Sequence, residues 1–456
     1  MVSFAKILES ITQHDRSYAA RPKKEGCSLD SSIIALLIIG GMMVLYVTEL
    51  IPLATTSLLG CLALAVFGVI PYGDAFKGFS NDIVYLIVGM VIVGDALFET
   101  GAAALIGKKI VAVVGTNERA FLAASIAVII PISAFLSNTA TVAMMLPITA
   151  SAVGASKGKL KKKDTYMLIG MMSIVSGGLT LVGSTPQLIA QGLLLEGGYE
   201  PIGFFELSFI GVPVFLLLVA YILTFGHTLK KKIFNFPEVE DDATVNQSAN
   251  DDSQKKTRRD VVRMCTASAI LIFCIVGFIS GLWTMGVVAM VGAVLCIITG
   301  CISQQKVFQK MSWTTVIIMG CSFGLASGLE QSGAGRLVAQ GMISVFGESI
   351  TPWLFCSALA LVAVLITNLM SSTATAALLV PIAAIAAFEM DYSVRAAVMA
   401  VAIASNLGFA TPIATPPLTM TLAGGYRFKD YVKFGGIFNI MAYIMIVVLF
   451  PLVLNI

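Results

Sequence analysis

Residues 137–148 read SNTATVAMMLPI, and residues 371–382 read SSTATAALLVPI. Seven of the twelve positions are identical at an offset of 234: Ser137/Ser371, Thr139/Thr373, Ala140/Ala374, Thr141/Thr375, Ala143/Ala377, Pro147/Pro381 and Ile148/Ile382. Further matches extend the pattern. LFETGA at 97–102 pairs with LEQSGA at 329–334, and GSTP at 183–186 pairs with ATPP at 414–417, at offsets of 232 and 231. Three separated matches at nearly one offset identify an internal duplication.

Composition sets the solvent. Of 456 residues, 57% are hydrophobic and 12% charged, whereas a soluble domain carries about a quarter of its residues as charged ones. Apolar stretches at 32–47, 54–71, 207–225, 268–280, 284–301 and 434–454 are near the ~20 residues that cross a bilayer as helix. The chain therefore reads as a multi-pass protein of a cell membrane, inner or plasma, with the lipid bilayer as its surroundings. The net charge of +3 does not point to nucleic acid, because lysine and arginine cluster in loops and set orientation. Seven of the eight cysteines (Cys61, Cys265, Cys274, Cys296, Cys301, Cys321 and Cys356) lie in or beside apolar stretches without metal-like spacing, and they read as packing residues. Residues 1–30 are polar and lack the apolar core of a signal peptide, so insertion is expected to rely on the internal spans.

Each half carries the same series: two apolar spans (32–50 and 54–71; 262–281 and 284–301), then a third (82–100; 312–330). A weaker amphipathic stretch follows, at 102–116 with Lys108 and Lys109 and at 334–347 with Arg336; its mid-stretch cations suit an interfacial position. The regions 121–153 and 353–388 then place SNT or SST at membrane depth, where unpaired backbone is tolerated only if it lines a cavity. Each is read as two half-length helices that turn back. A span broken at GSTPQ or ATPPL and a final span (205–228; 434–454) close each half. Five crossings per half is an odd number, so the halves would sit upside down relative to each other, as in secondary transporters.

The expected fold is thus an all-α polytopic membrane protein of two inverted repeats, each with five crossings plus a re-entrant helical hairpin and a broken helix. The expected organisation is a polar N-terminal segment (1–30), a first repeat (31–228), a cytoplasmic linker (229–261) and a second repeat (262–456). The lysine-rich loop 156–164 and the basic linker ends go to the cytoplasm by the positive-inside rule. Counting crossings back from them puts residues 1–30 outside, against the preference of Arg16, Arg21, Lys23 and Lys24 for the inside.

Broken helices at mid-membrane expose their ends: positive N-termini can hold an anion, while carbonyls and hydroxyls can hold a small cation. The repeat supplies such groups in pairs. The first half offers Ser133, Ser137, Asn138 and Thr139 on the hairpin and Gly183, Ser184 and Thr185 at the break; the second offers Thr367, Ser371, Ser372 and Thr373, and Ala414, Thr415 and Pro416. Pro186 and Pro416 each remove a backbone donor there. A lone SNT in a membrane helix more often serves packing or carbonyl bonding, but the duplicated hairpin and break argue for a site. Oxygen ligands without carboxylate suit a hard monovalent cation better than zinc or copper.

These motifs, together with TEL at 48–50, make the chain from about residue 32 resemble the divalent-anion/sodium symporters, which carry di- and tricarboxylates or sulfate. The resemblance implies co-transported sodium at two sites, one from Ser133, Ser137, Asn138 and the Gly183 carbonyl, the other from Thr367, the Met370 carbonyl, Ser372 and the Ala414 carbonyl. It implies a small anionic substrate held by Asn138, Thr139, Ser184, Ser372, Thr373, Thr415 and Pro416, and a homodimer. Three positions depart from the family pattern: Ser372 replaces an asparagine, Asn368 stands where an acidic residue is frequent, and Leu418 replaces the asparagine after the second Pro pair. A hydroxyl cannot supply an amide's donor and acceptor together.

Among other ionisable groups, Asp95 and Glu99 lie four apart on one helical face, and an intramembrane carboxylate is a candidate for proton coupling. Glu49 reads as an interfacial anchor, and His14 and His227 lie in or beside basic polar segments. Enzymes and ATP-driven pumps find no support, since no nucleophile–base set, phosphate loop or His/Cys cluster appears. A channel would need a continuous polar pore. The predicted mid-membrane groups contain no lysine or arginine, so a bound dianion must be balanced by cations and backbone donors. Sodium-coupled symport of a C4 dicarboxylate (succinate, malate or fumarate) is the expected function; the alternative is a proton-coupled carrier or an anion exchanger for dicarboxylate, citrate, sulfate or phosphate.

Overall fold

The computed structural model describes residues 30–102, 105, 118–156, 159–237, 258–337, 340–341 and 350–454. His14 and the rest of 1–29, Lys108 and Lys109, part of the second interfacial stretch and the centre of the linker fall outside these residues.

The described chain is helical, and its two halves repeat one series. The first runs Ser31–Thr48 (α1), Leu53–Val66 (α2), Asp82–Glu99 (α3), Glu118–Phe135 (α4), Asn138–Ala155 (α5), Lys162–Gly177 (α6), Thr185–Glu196 (α7) and Ser208–Leu223 (α8). Phe225–Ile233 (α9) leads toward the linker. The second runs Arg258–Ser280 (α10), Met285–Ile298 (α11), Trp313–Ser332 (α12), Pro352–Thr367 (α13), Ser372–Glu389 (α14), Val394–Ser405 (α15), Pro416–Thr421 (α16) and Phe428–Val453 (α17). Helix thus enters both ends of the predicted linker.

The outer helices are apolar on both faces. In α17, Phe434, Phe438, Ala442, Ile446 and Phe450 are buried, while Ile440, Ile444, Val448 and Leu452, every fourth residue, are each more than half exposed. Keeping such a strip in water would forfeit on the order of 5–10 kcal/mol, a sum comparable to the whole stability of a domain. Hydrocarbon is the solvent that removes this cost. By length and composition four helices (α1, α10, α14 and α17) could each cross a membrane, or up to seven spans if three bent pairs count as one each. Inner helices differ: in α15 every residue except Arg395 is buried. The bundle therefore encloses α6, α7, α14 and α15, and the site lies among them.

The halves pack reciprocally. Helix α3 lies against α11 of the other half, and its repeat partner α12 lies against α2. Likewise α7 packs on α14 and α15, while its counterpart α16 packs on α5 and α6. Asp82, in the first turn of α3, caps α11 across this boundary: Thr284 Oγ1 donates to its Oδ1 at 2.6 Å and Gly286 N to its Oδ2 at 2.9 Å. Interfaces of this kind require each half to complete the other.

Candidate functional site

The predicted turns fall at Leu136–Ser137, between α4 and α5, and at Asn368–Ser371, between α13 and α14. Serine starts the second helix each time, because its hydroxyl can accept an orphan N–H of the first turn. Ser137 Oγ accepts from Ala140 N at 3.4 Å and Ser371 Oγ from Ala374 N at 3.2 Å. At the two breaks, Ser184 and Thr415 adopt the same extended backbone, with φ/ψ of −146°/142° and −148°/140°. Proline follows in the first turn, where its missing N–H costs nothing. Each break loop is tied to its own hairpin by one threonine: Thr180 Oγ1 donates to Ala134 O, and Thr411 Oγ1 to Asn368 O at 2.9 Å.

Behind the first hairpin tip lies a closed cluster of oxygens. Ser133 Oγ donates to Ser173 O at 2.9 Å and sits 2.8 Å from Ser173 Oγ, which donates to Asn138 O at 3.0 Å. The Asn138 amide is 2.6 Å from Ser133 Oγ, and the orientation that satisfies the cluster turns Nδ2 toward Ser133 and Ser173 O. The amide lies flat on Gly177, where an added Cβ would come within 2.6 Å of both Nδ2 and Oδ1 and 2.8 Å of Gly183 O. Ser133, Asn138 and Gly183 thus lie together, with Ser173 and Gly177 beside them. Ser137 stands at the tip as an exposed cap rather than inside the cluster.

The second half repeats this with fewer side-chain polar groups. Thr367 Oγ1 donates to Ser405 O at 2.8 Å, the counterpart of Ser133 on Ser173. Gly408 packs against Ala414 and Thr367, as Gly177 does against Gly183 and Asn138. Where Asn138 lays an amide, Ser372 instead closes backbone to backbone, its N–H donating to Ala414 O at 3.0 Å. Thr367, Met370 and Ala414 are fully buried. Asn368 is consumed by the fold: Nδ2 donates to Val364 O (2.7 Å) and Leu407 O (3.0 Å), and Oδ1 accepts from Ala410 N (2.9 Å).

In front of both clusters opens a cleft of about 570 Å³. All seven residues predicted for the substrate, Asn138, Thr139, Ser184, Ser372, Thr373, Thr415 and Pro416, line it, as do Ser137 and Gly183. Helices α5, α7 and α14 begin on this cleft, and short α16 starts there too. Their N-termini bring partial positive charge to one place. The hydroxyl of Thr415 is buried without a hydrogen-bond partner among the described residues. Asp95 also lines the cleft.

Two residues that the sequence reading did not single out belong to the wall. Lys310 reaches the cleft because the helix Gln304–Lys310 meets α12 at a 63° bend. It pairs, with Lys306, to Glu99, so the cleft wall carries a lysine although the predicted mid-membrane groups contain none. Asn406 caps the C-terminus of α15 and accepts at Oδ1 from Ser184 Oγ of the other half. A larger cleft of about 730 Å³ lies at the opposite ends of α7 and α14, lined by Asp74, Lys77, Glu196, Glu330, Arg336 and Glu389. It holds none of the residues predicted for the cation sites or the substrate. Lys77 pairs with Glu196 (3.9 Å) and Arg336 with Glu389 (3.0 Å) in its wall.

The chain resembles known proteins in sequence and in fold. The sodium-dependent dicarboxylate transporter SdcS of Staphylococcus saprophyticus is 25% identical over 451 residues, covering 92% of this chain and 85% of its own. The sodium-dependent high-affinity dicarboxylate transporter 3 of Caenorhabditis elegans is 25% identical over 461 residues, covering 87% and 79%. Among solved structures, Neisseria gonorrhoeae MtrF superposes with a TM-score of 0.57 at 11% identity, over 93% of this chain and 95% of that one. The Alcanivorax borkumensis YdaH transporter superposes at 0.53 and 13%, over 94% and 98%. These two likenesses concern the fold. The citrate transporter family, CitMHS, matches residues 43–395, more than half of the chain. With its paired hairpins, paired breaks and common cleft, the chain belongs to the citrate transporter family, among the divalent-anion/sodium symporters.

Proposed function

We propose that this protein is a secondary active transporter that couples sodium to the uptake of a C4 dicarboxylate such as succinate, malate or fumarate. One observation carries the reading: helix N-termini from both halves converge on a single cleft, backed on the first-half side by a carboxylate-free cage of oxygens. The N-termini and the hydroxyls of Thr139, Ser184, Thr373 and Thr415 suit an anion. Ser133, Ser173, Asn138 and Gly183 suit a sodium ion, which would offset one of the anion's charges at close range. The names of the relatives, sodium-dependent dicarboxylate transporters, support sodium over proton coupling or exchange.

The two clefts at opposite ends of α7 and α14 support alternating access. The site communicates with one cleft, while the wall of the other carries ion pairs between α7 or α14 and the rest of the bundle. The halves take opposite orientations in the bilayer, and the functional unit is a homodimer. For substrate, thermal stabilisation of the purified protein and competition for labelled succinate uptake should be measured with succinate, malate, fumarate, citrate, phosphate and sulfate. The C4 dicarboxylates are expected to stabilise and compete most strongly; sulfate acting while dicarboxylates do not would reject the assignment.

The second cation site should be the weaker one, because Ser372 brings one hydroxyl where Asn138 brings an amide. Ser372→Asn is expected to keep transport and to raise apparent sodium affinity severalfold, on the order of the 1 kcal/mol that one added ligand contributes. A sodium titration of uptake checks this. An unchanged curve in an active variant would remove the asymmetry.

A further inference from the structure

Asn406 has no equivalent in the other repeat. Ser173 pairs with Ser405 at an offset of 232, so Asn406 falls opposite Ile174. An amide buried to 8% exposure in the middle of an apolar bundle is costly unless its groups are used. Its Oδ1 accepts from Ser184 Oγ and one Nδ2 hydrogen goes to Ala402 O at 3.0 Å. A primary amide has two N–H donors, so one is left without a protein acceptor among the described residues. Asn406 lines the same cleft as Ser372 and Thr415, and Thr415 Oγ1 is itself unpartnered.

The first repeat supplies an amide at its tip through Asn138, and the second repeat lacks one there because position 372 is serine. We propose that Asn406 is the missing amide: a substrate-contacting residue that donates its spare N–H to one carboxylate of the bound dianion while its Oδ1 holds Ser184 in place. Thr415 donates to the same carboxylate. One end of the dianion is then read by Asn406 and Thr415 and the other by Thr139 and the N-terminus of α5, because Asn138 Nδ2 is already used in the Ser133–Ser173 cluster; two separated reading points favour anions with two separated acceptor groups over a compact one such as sulfate. This rests on the cleft being the dicarboxylate site. A competing use of the amide is structural: Asn406 also lines a cavity of about 40 Å³ beside Gln187, whose Oε1 is unpartnered, and a single buried water could bridge the two.

The test compares wild type, Asn406→Ser, Asn406→Asp and the double variant Asn406→Ser/Ser372→Asn, reconstituted in proteoliposomes at saturating sodium. Readouts are the succinate KM, the sodium half-saturation at saturating succinate, and the melting temperature of the purified protein. Asn406→Ser is expected to raise the succinate KM about tenfold, the loss of one hydrogen bond to a charged group, with sodium half-saturation unmoved. Asn406→Asp, nearly equal in volume, keeps the acceptor for Ser184 but replaces the donor with a negative charge; it should raise KM further, and it carries the test if the serine variant does not fold. The double variant, with an amide restored at the tip, should recover most of the lost affinity. A fall in melting temperature with KM unchanged would assign Asn406 to the buried water and overturn the proposal, as would a double variant no better than the single one. Wild-type protein that carries no dicarboxylate at all would instead remove the underlying reading of the cleft.

Discussion

Asn138→Ala is expected to abolish sodium-driven uptake. The Asn138 amide takes part in the Ser133–Ser173 cluster, packs on Gly177 beside the Gly183 carbonyl, and belongs to the wall of the cleft. Alanine removes the proposed cation ligand and a residue of the proposed substrate wall at once, and leaves Ser133 and Ser173 with an unfilled polar hole. Losing a buried polar partner costs about 1–3 kcal/mol, and more where a charge is bound, so sodium and substrate affinities together should fall by roughly a hundredfold or more. Initial-rate uptake, with protein amount in the membrane measured alongside, checks the result. A transporter with normal sodium dependence after this change would remove the whole site assignment.

Gly177→Ala should be almost as damaging, although it deletes nothing. The methyl would stand 2.6 Å from both atoms of the Asn138 amide and 2.8 Å from Gly183 O, well inside van der Waals contact. Either the amide rotates off the cluster or the break loop carrying Gly183 moves away, and both open the cage. Overpacking of this sort costs about 1–3 kcal/mol, and here it falls on the proposed sodium site. The expected signature is a raised sodium half-saturation, roughly tenfold or greater, with a smaller change in melting temperature. Loss of stability alone, with sodium dependence intact in the surviving protein, would place Gly177 in packing only.

The sequence carried the architecture because the repeat writes its punctuation twice. Ser137 and Ser371 start helices, and Pro186 and Pro416 sit in first turns, each for a local backbone reason legible without a structure. The seven substrate candidates share one cleft because all lie at helix starts. Ser173 and Gly177 lie inside an ordinary apolar helix and act through tertiary approach, so their one sequence signal is the match to Ser405 and Gly408 at offsets of 232 and 231. Asn406 has no such match because its partner is Ile174. Lys310 reads as a loop lysine, and only the 63° bend before α12 turns it toward the cleft. The reciprocal exchange of helices between halves likewise depends on contacts more than 200 residues apart, such as Thr284 to Asp82, which no local signal records.

Uptake of labelled succinate into proteoliposomes holding the purified protein tests sodium-coupled dicarboxylate transport through this cleft. An inward sodium gradient should drive accumulation, which should cease when potassium or choline replaces sodium. Equal uptake with and without sodium would contradict the account.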